Sequence, residues 1–248
     1  MQTKLFDFGK IGKWIKTISY PAFMFVFIIL LLTSCKKVDT NNPMVTDIDG
    51  NLYNTVNIGG QVWMIENLNV TRYSNGDSIP NITDDFEWSI QTGGAYCNYN
   101  NDETTGKKFG KLYNWLAVTD SRNIAPKGWH IPSDAEWLRL ENYIADHLGS
   151  SSTLAKAMAA ETEWTIFSEE GSIGKDLDKN NSSGFTALPG GYRLNGKFNK
   201  IGDYCGWWSS TESAENNAWI RVLLFSYNNL ATIYHDKVNG FSVRCIQD

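Results

Sequence analysis

The sequence predicts an α+β domain, and three observations carry that expectation. A β-prone hairpin closes around Gly59-Gly60, a capped amphipathic helix starts after Ser133, and short β-prone segments follow one another at meander spacing beyond Gly184. The order is therefore hairpin, helices, antiparallel meander. No internal repeat of solenoid length is present.

The opening segment Asp47-Ile48-Asp49-Gly50-Asn51 reads as a turn, because Asp-Gly and Gly-Asn favour turns. It also resembles part of a calcium loop, but Ile58 stands where the bidentate glutamate is needed. Leu52–Ile58 is expected as a strand, Gly59-Gly60 as a tight turn and Gln61–Ile65 as its partner. From Thr71 to Asn101 the chain is irregular. Helical spacing appears at Leu112, Trp115, Leu116 and Thr119.

The strongest helix signal is Ser133-Asp134-Ala135-Glu136, a capping box placed directly after Pro132. Trp137, Leu140, Ile144 and Leu148 then form one apolar stripe, with Gly149 as the C-terminal cap. A shorter helix is expected over Thr153–Ala160, with Leu154, Ala157 and Met158 facing inward. Phe185–Leu188, Trp207–Ser210, Trp219–Phe225, Leu230–His235 and Phe241–Ile246 are read as strands, and Pro189-Gly190-Gly191 as a turn. In the last strand Phe241, Val243 and Cys245 share an apolar face, opposite Ser242, Arg244 and Gln247.

The chain has 248 residues and a net charge of −5; a +3 excess in residues 1–34 leaves −8 for the rest. An acidic product argues against nucleic acid as a partner, since phosphates demand a Lys/Arg footprint. Residues 1–34 read as a signal peptide: Lys4, Lys10, Lys13 and Lys16 precede an apolar run from Ala22 to Leu32. Leu32-Thr33-Ser34-Cys35 resembles the bacterial lipobox, in which the cysteine is lipidated. An uncut transmembrane helix is the alternative, but the run is shorter than the roughly 20 residues a span needs. The expected protein is thus exported and anchored to the envelope, in the outer membrane, through lipid on Cys35. Residues 35–44 form a tether and 45–248 the folded domain.

Seven blocks then carry a family resemblance. Asp47–Asn51, Gln61–Leu68, Gly110–Trp115, Gly128–Trp137, Ala187–Arg193, Trp208–Glu212 and Gly240–Cys245 occur in order, and together they resemble the Fibrobacter succinogenes major paralogous domain. That family has no established activity. More distantly, the Pro-x-x-Ala-Glu-Trp helix and the Pro-Gly-Gly turn resemble formylglycine-generating enzymes and the C-type-lectin-like fold. The implied fold has two main helices, a terminal hairpin and an antiparallel meander. The family often has a cysteine where this chain has Ala125.

Cys97, Cys205 and Cys245 remain for the domain, so at most one disulfide can form within it: Cys205 with Cys245, or Cys97 with Cys245. An oxidase of the formylglycine-generating type would need a closely spaced redox pair, which these spacings do not provide. His130, His147 and His235 show no metal-ligand spacing; His130 is expected as a local hydrogen-bonder and His147 as a solvent-facing residue. Asp134 and Glu136 are explained by capping and the helix dipole. No cofactor is expected.

Binding fits better. Trp207, Trp208, Glu212, Asn216, Asn217 and Trp219 gather aromatic rings, amides and a carboxylate in one segment, a combination suited to stacking on sugar and bridging its hydroxyls. The opposing expectation is that at least two of these tryptophans fill the core. The Glu-Pro-Asn and Trp-Asn-Asp signatures of calcium-dependent lectins are absent. Sequence thus points to a non-enzymatic adhesion module for glycan or an envelope protein. A formylglycine-generating-type enzyme and a purely structural envelope role are the alternatives.

Overall fold

The computed structural model describes residues 43–148 and 153–248. Cys35, the tether up to Asn42 and the cap residue Gly149 lie outside the described residues. The described chain is an α+β domain dominated by sheet.

It begins with β1 (Val45–Thr46) and β2 (Leu52–Tyr53), paired antiparallel across the Asp47–Asn51 turn. Asp47 organises that turn. Its carboxylate accepts from the backbone N–H of Asp49 and Asn51, from the Asn51 amide and from the Tyr53 hydroxyl. The expected hairpin follows as β3 (Thr55–Ile58) and β4 (Gln61–Met64), with Ile58 paired to Gln61. Gly59 and Gly60 both have positive φ, +62° and +82°, which is why this two-residue turn uses glycine twice.

The irregular stretch holds α1 (Asp85–Ser89) and β5 (Tyr96–Cys97), and α2 (Glu103–Phe109) follows just beyond it. The helical spacing at 112–119 resolves into β6 (Leu112–Tyr113) and the single turn α3 (Trp115–Val118). β7 (Trp129–His130) leads into α4 (Asp134–His147), the one long helix among the described residues. Ser133 caps it as expected, through a reciprocal bond with Glu136. Trp137, Leu140 and Ile144 are buried, but Leu148 is 38% exposed because the helix has already ended. α5 (Leu154–Met158) is only five residues, so one main helix replaces the expected two.

The second half departs most. Pro189-Gly190-Gly191 does not turn the chain; instead β8 (Gly190–Leu194) and β9 (Lys197–Ile201) form a hairpin. Phe185–Leu188 contributes only a bridge from Ala187 to Ala159. β10 (Tyr204–Ala214), β11 (Asn217–Leu224) and β12 (Ala231–Asp236) complete a five-stranded sheet of order β12-β11-β10-β8-β9. All its pairings are antiparallel except β8 with β10. The final strand β13 (Ile246–Gln247) leaves that sheet and inserts between β4 and β7, giving the order β3-β4-β13-β7. The C-terminus therefore closes the sheet that the hairpin opened.

The core has three parts. One packs α4 and α5 against Trp63, Phe185, Trp207 and Leu223. A second holds Met64, Tyr113, Trp208, Ile220 and Phe241. A smaller third part collects Trp88, Cys97, Tyr99 and Leu112. Both faces of β10 are covered, and this decides where its tryptophans go.

Candidate functional site

On β10, successive side chains point to opposite faces. Trp207 enters the helix-side core, with Trp137 at 5.8 Å and Phe185 edge-on at 5.5 Å. Trp208 enters the other, edge-on to Phe241 at 5.0 Å. Their indole N–H groups donate to Asn67 Oδ1 and to the Tyr113 carbonyl, each at 2.8 Å. Both are fully buried, so neither forms a ligand-stacking face; the expectation placing them there is corrected.

The remaining residues of the proposed site stand at the far end of the β10–β11 hairpin. Glu212 pairs across the ladder with Ala218, which sets it on the side opposite Trp219. There it binds the Lys237 ammonium, which lies over the Trp115 ring at 4.6 Å. Asn216 is exposed at the hairpin tip, and its carbonyl accepts from Lys237 N at 3.0 Å. Asn217 and Trp219 share the other side with their β12 partners, Asp236 and Tyr234. Trp219 is half-buried and Tyr234 is 59% exposed, with the rings edge-to-face at 5.9 Å. Thr232, opposite Arg221, extends the same face and is exposed. The usable surface is therefore Asn217, Trp219, Thr232, Tyr234 and Asp236. Sequence reading missed the β12 half because register, not spacing, brings it there.

This face ends at Arg221, whose guanidinium is buried and held by Asp134 and Glu141 of α4 at 2.6 and 2.5 Å. Asp134 thus does more than offset the helix dipole: it ties the helix to the sheet. Glu136, besides capping, accepts from His130. The His130 ring bridges Glu136 (Nε2, 2.9 Å) and the C-terminal residue Asp248 (Nδ1, 2.8 Å). His147 is solvent-exposed and, among the described residues, its ring bonds only to the Tyr143 carbonyl. Partial burial pushes the His130 pKa down, but the bonds to Asp248 and Glu136 outweigh this and raise it above the ordinary value. A raised folded pKa means the bridge stabilises fully below the unfolded histidine value, and that this is lost as pH rises through the folded one. With the ring 37% exposed, the effect is limited to about 0.5–1 kcal/mol. The stability difference between wild type and His130→Gln is therefore expected at pH 5.5 and absent by pH 8.5, measured by chemical denaturation. A difference that grows with pH would contradict the bridge.

The Fibrobacter succinogenes major domain matches residues 56–247, more than half of the chain. The chain belongs to this family. No curated protein and no solved structure matches it significantly. Several of the sequence blocks within this Fibrobacter succinogenes major domain have structural work to do. Trp63 and Trp137 pack at 4.8 Å with their rings tilted by 46° in the core, and the arginines of Gly-Tyr-Arg and Ser-Val-Arg are buried. Arg193 donates to the carbonyls of Ile82, Thr83, Asp84 and Gly196 and lies over Trp88. Arg244 was expected on the polar side of a half-exposed strand. It is instead buried, as is Ser242, and Asn67, Phe185 and Trp207 pack around its guanidinium.

The three domain cysteines are free, and neither expected disulfide forms. Cys97, Cys205 and Cys245 each lie in a different one of the three core regions. Burial raises the thiol pKa in all three, to about 12 at Cys97 and higher at the others. At neutral pH they are protonated packing groups, the opposite of an activated thiolate. Among the described residues, no three His, Cys, Asp or Glu side chains gather in a metal-binding arrangement. No described helix is long and apolar enough to cross a membrane.

Proposed function

We propose that the chain is an exported envelope lipoprotein, tethered through Cys35 to the outer membrane, whose folded domain is a non-enzymatic module for glycan binding. The observation that carries the binding reading is the open face of β11 and β12. There the Trp219–Tyr234 pair stands beside an amide, a hydroxyl and a carboxylate at Asn217, Thr232 and Asp236. Aromatic faces stack on sugar CH groups while the polar neighbours bridge hydroxyls, and Tyr and Trp lose little entropy when they bind. The antiparallel meander, and the terminal hairpin sheet closed by β13, support a C-type-lectin-like fold in which such a face is presented outward. The protonated, separated thiols favour this reading over the oxidase.

The test is a screen of the full chain in detergent against plant and host glycans, with and without calcium. A saturable ligand is expected, and Trp219→Ala and Tyr234→Ala should each weaken it at least tenfold while leaving the fold intact. Binding that survives both substitutions would remove this face from consideration. Metabolic incorporation of fatty acid, lost in Cys35→Ser, tests the anchor.

A further inference from the structure

A second site shares no residue with that face and lies between the opening turn, α2 and the segment just before β13. A cleft of about 380 Å³ is lined by Leu52, Phe109, Asn69, Lys107, Lys108 and Arg244, among others. Its charge is unusual for an acidic protein. Glu66 is the one carboxylate lining it, and both its oxygens are taken, by the Asn54 backbone N–H at 2.8 Å and the Asn54 amide at 2.7 Å. Three cations face that single anion. Lys108 is paired with Glu163 at 2.7 Å, but Lys107 is exposed and has no ion-pair partner among the described residues.

Arg244 is the decisive group. Of the three buried arginines, Arg193 reaches Asp85, and Arg221 reaches Asp134 and Glu141. Arg244 reaches no carboxylate among the described residues. Three of its five N–H groups are used: two on Asn67 Oδ1, at 3.2 and 2.8 Å, and one on the Phe185 carbonyl. A buried cation with no ion pair, attracted only at a distance by Glu66, keeps part of its field uncompensated in a low-dielectric wall, where it acts more strongly than a surface charge. Asn69 adds a donor, since its Oδ1 accepts from Lys111 while its Nδ2 meets no acceptor among the described residues.

We infer that this cleft binds the carboxylate of an acidic sugar, with the ring lying against Leu52 and Phe109 and the acid between Lys107 and the Arg244 wall. The volume suits one or two sugar units. A phosphate dianion would favour two paired cations at the mouth, whereas here one lysine is already neutralised by Glu163. The inference stands on its own geometry and does not need the Trp219 face.

The test is calorimetric titration of the full chain in detergent with galacturonate, an oligogalacturonate, galactose and a short peptide with a free C-terminus. Galacturonate should bind and galactose should not, with affinity falling as salt is raised. Lys107→Gln should weaken binding about fivefold, close to 1 kcal/mol, while Glu66→Gln should strengthen it. Tighter binding of the oligomer would identify an acidic polysaccharide as the source, and equal binding a free uronate. Equal binding of galactose, indifference to Lys107→Gln, or binding of the peptide alone would overturn the inference. Trp219→Ala should leave uronate binding unchanged, so failure here and failure at the β11–β12 face are distinguishable.

Discussion

Trp207→Ala is expected to destabilise the domain by about 4 kcal/mol, at the upper end of large-to-small core substitutions. Three effects add at this position. The ring is fully buried between Trp137 and Phe185, so its removal leaves a large cavity walled by aromatic groups that cannot collapse into it. Its N–H bond to Asn67 Oδ1 is lost. The Arg244 guanidinium, 5.4 Å from the ring centroid, loses one of its two aromatic neighbours. For a domain of this size the melting temperature should fall by about 10 °C or more. Trp219→Ala removes a half-exposed ring and should change stability by under about 1 kcal/mol. Thermal unfolding of the two variants side by side separates a core tryptophan from a surface one. Similar losses would mean that Trp219 is a packing residue too, and the binding face would have to be sought elsewhere.

The contrast also shows what was legible in the sequence. Ser133 to Glu136 announced a helix start because the signal is local: two side chains and two backbone N–H groups within one turn. Gly59-Gly60 announced a hairpin for the same reason. Trp207 and Trp208 were ambiguous because adjacent strand residues face opposite ways, and only a sheet covered on both sides buries both. Arg244 was hidden too, because its place in an alternating Phe-Ser-Val-Arg-Cys pattern mimics a half-exposed strand. The β8–β9 hairpin could have been found. Asn195-Gly196, with φ of 48° and 78°, is a strong two-residue turn signal, and the glycine pair just upstream drew attention from it. At Gly191, φ is +69° and a Cβ would come within 2.6 Å of the Asn199 carbonyl, so that glycine serves strand packing and not reversal. The passage of the chain end from the meander to the hairpin sheet, and the separation of three cysteines into three core regions, are long-range facts with no local signature.

Arg244 allows a sharper prediction, because Ala and Met replacements should differ. Burial pulls its pKa down from 12.5 to about 10, with attraction from the more distant Glu66 carboxylate offsetting only part of the effect, so it remains a cation at neutral pH. A depression of that size corresponds to about 3 kcal/mol of disfavoured charge. Against it stand the bonds to Asn67 and Phe185 and the stacking on Phe185 at 4.3 Å. Arg244→Ala removes both sides of this balance and leaves a cavity, so a loss of about 3–5 kcal/mol is expected. Arg244→Met fills much of the space and relieves the charge. Asn67 Oδ1 still accepts from Trp207, leaving the Phe185 carbonyl as the main unpaired group, so the loss should be only about 1 kcal/mol. Denaturant midpoints at constant slope measure both values. If Met proves as damaging as Ala, the guanidinium bonds outweigh its desolvation and the residue is kept for stability. If Met is tolerated, the buried charge contributes little to the fold. The same variant should then lose uronate binding in the cleft, placing the reason for an unpaired arginine in recognition.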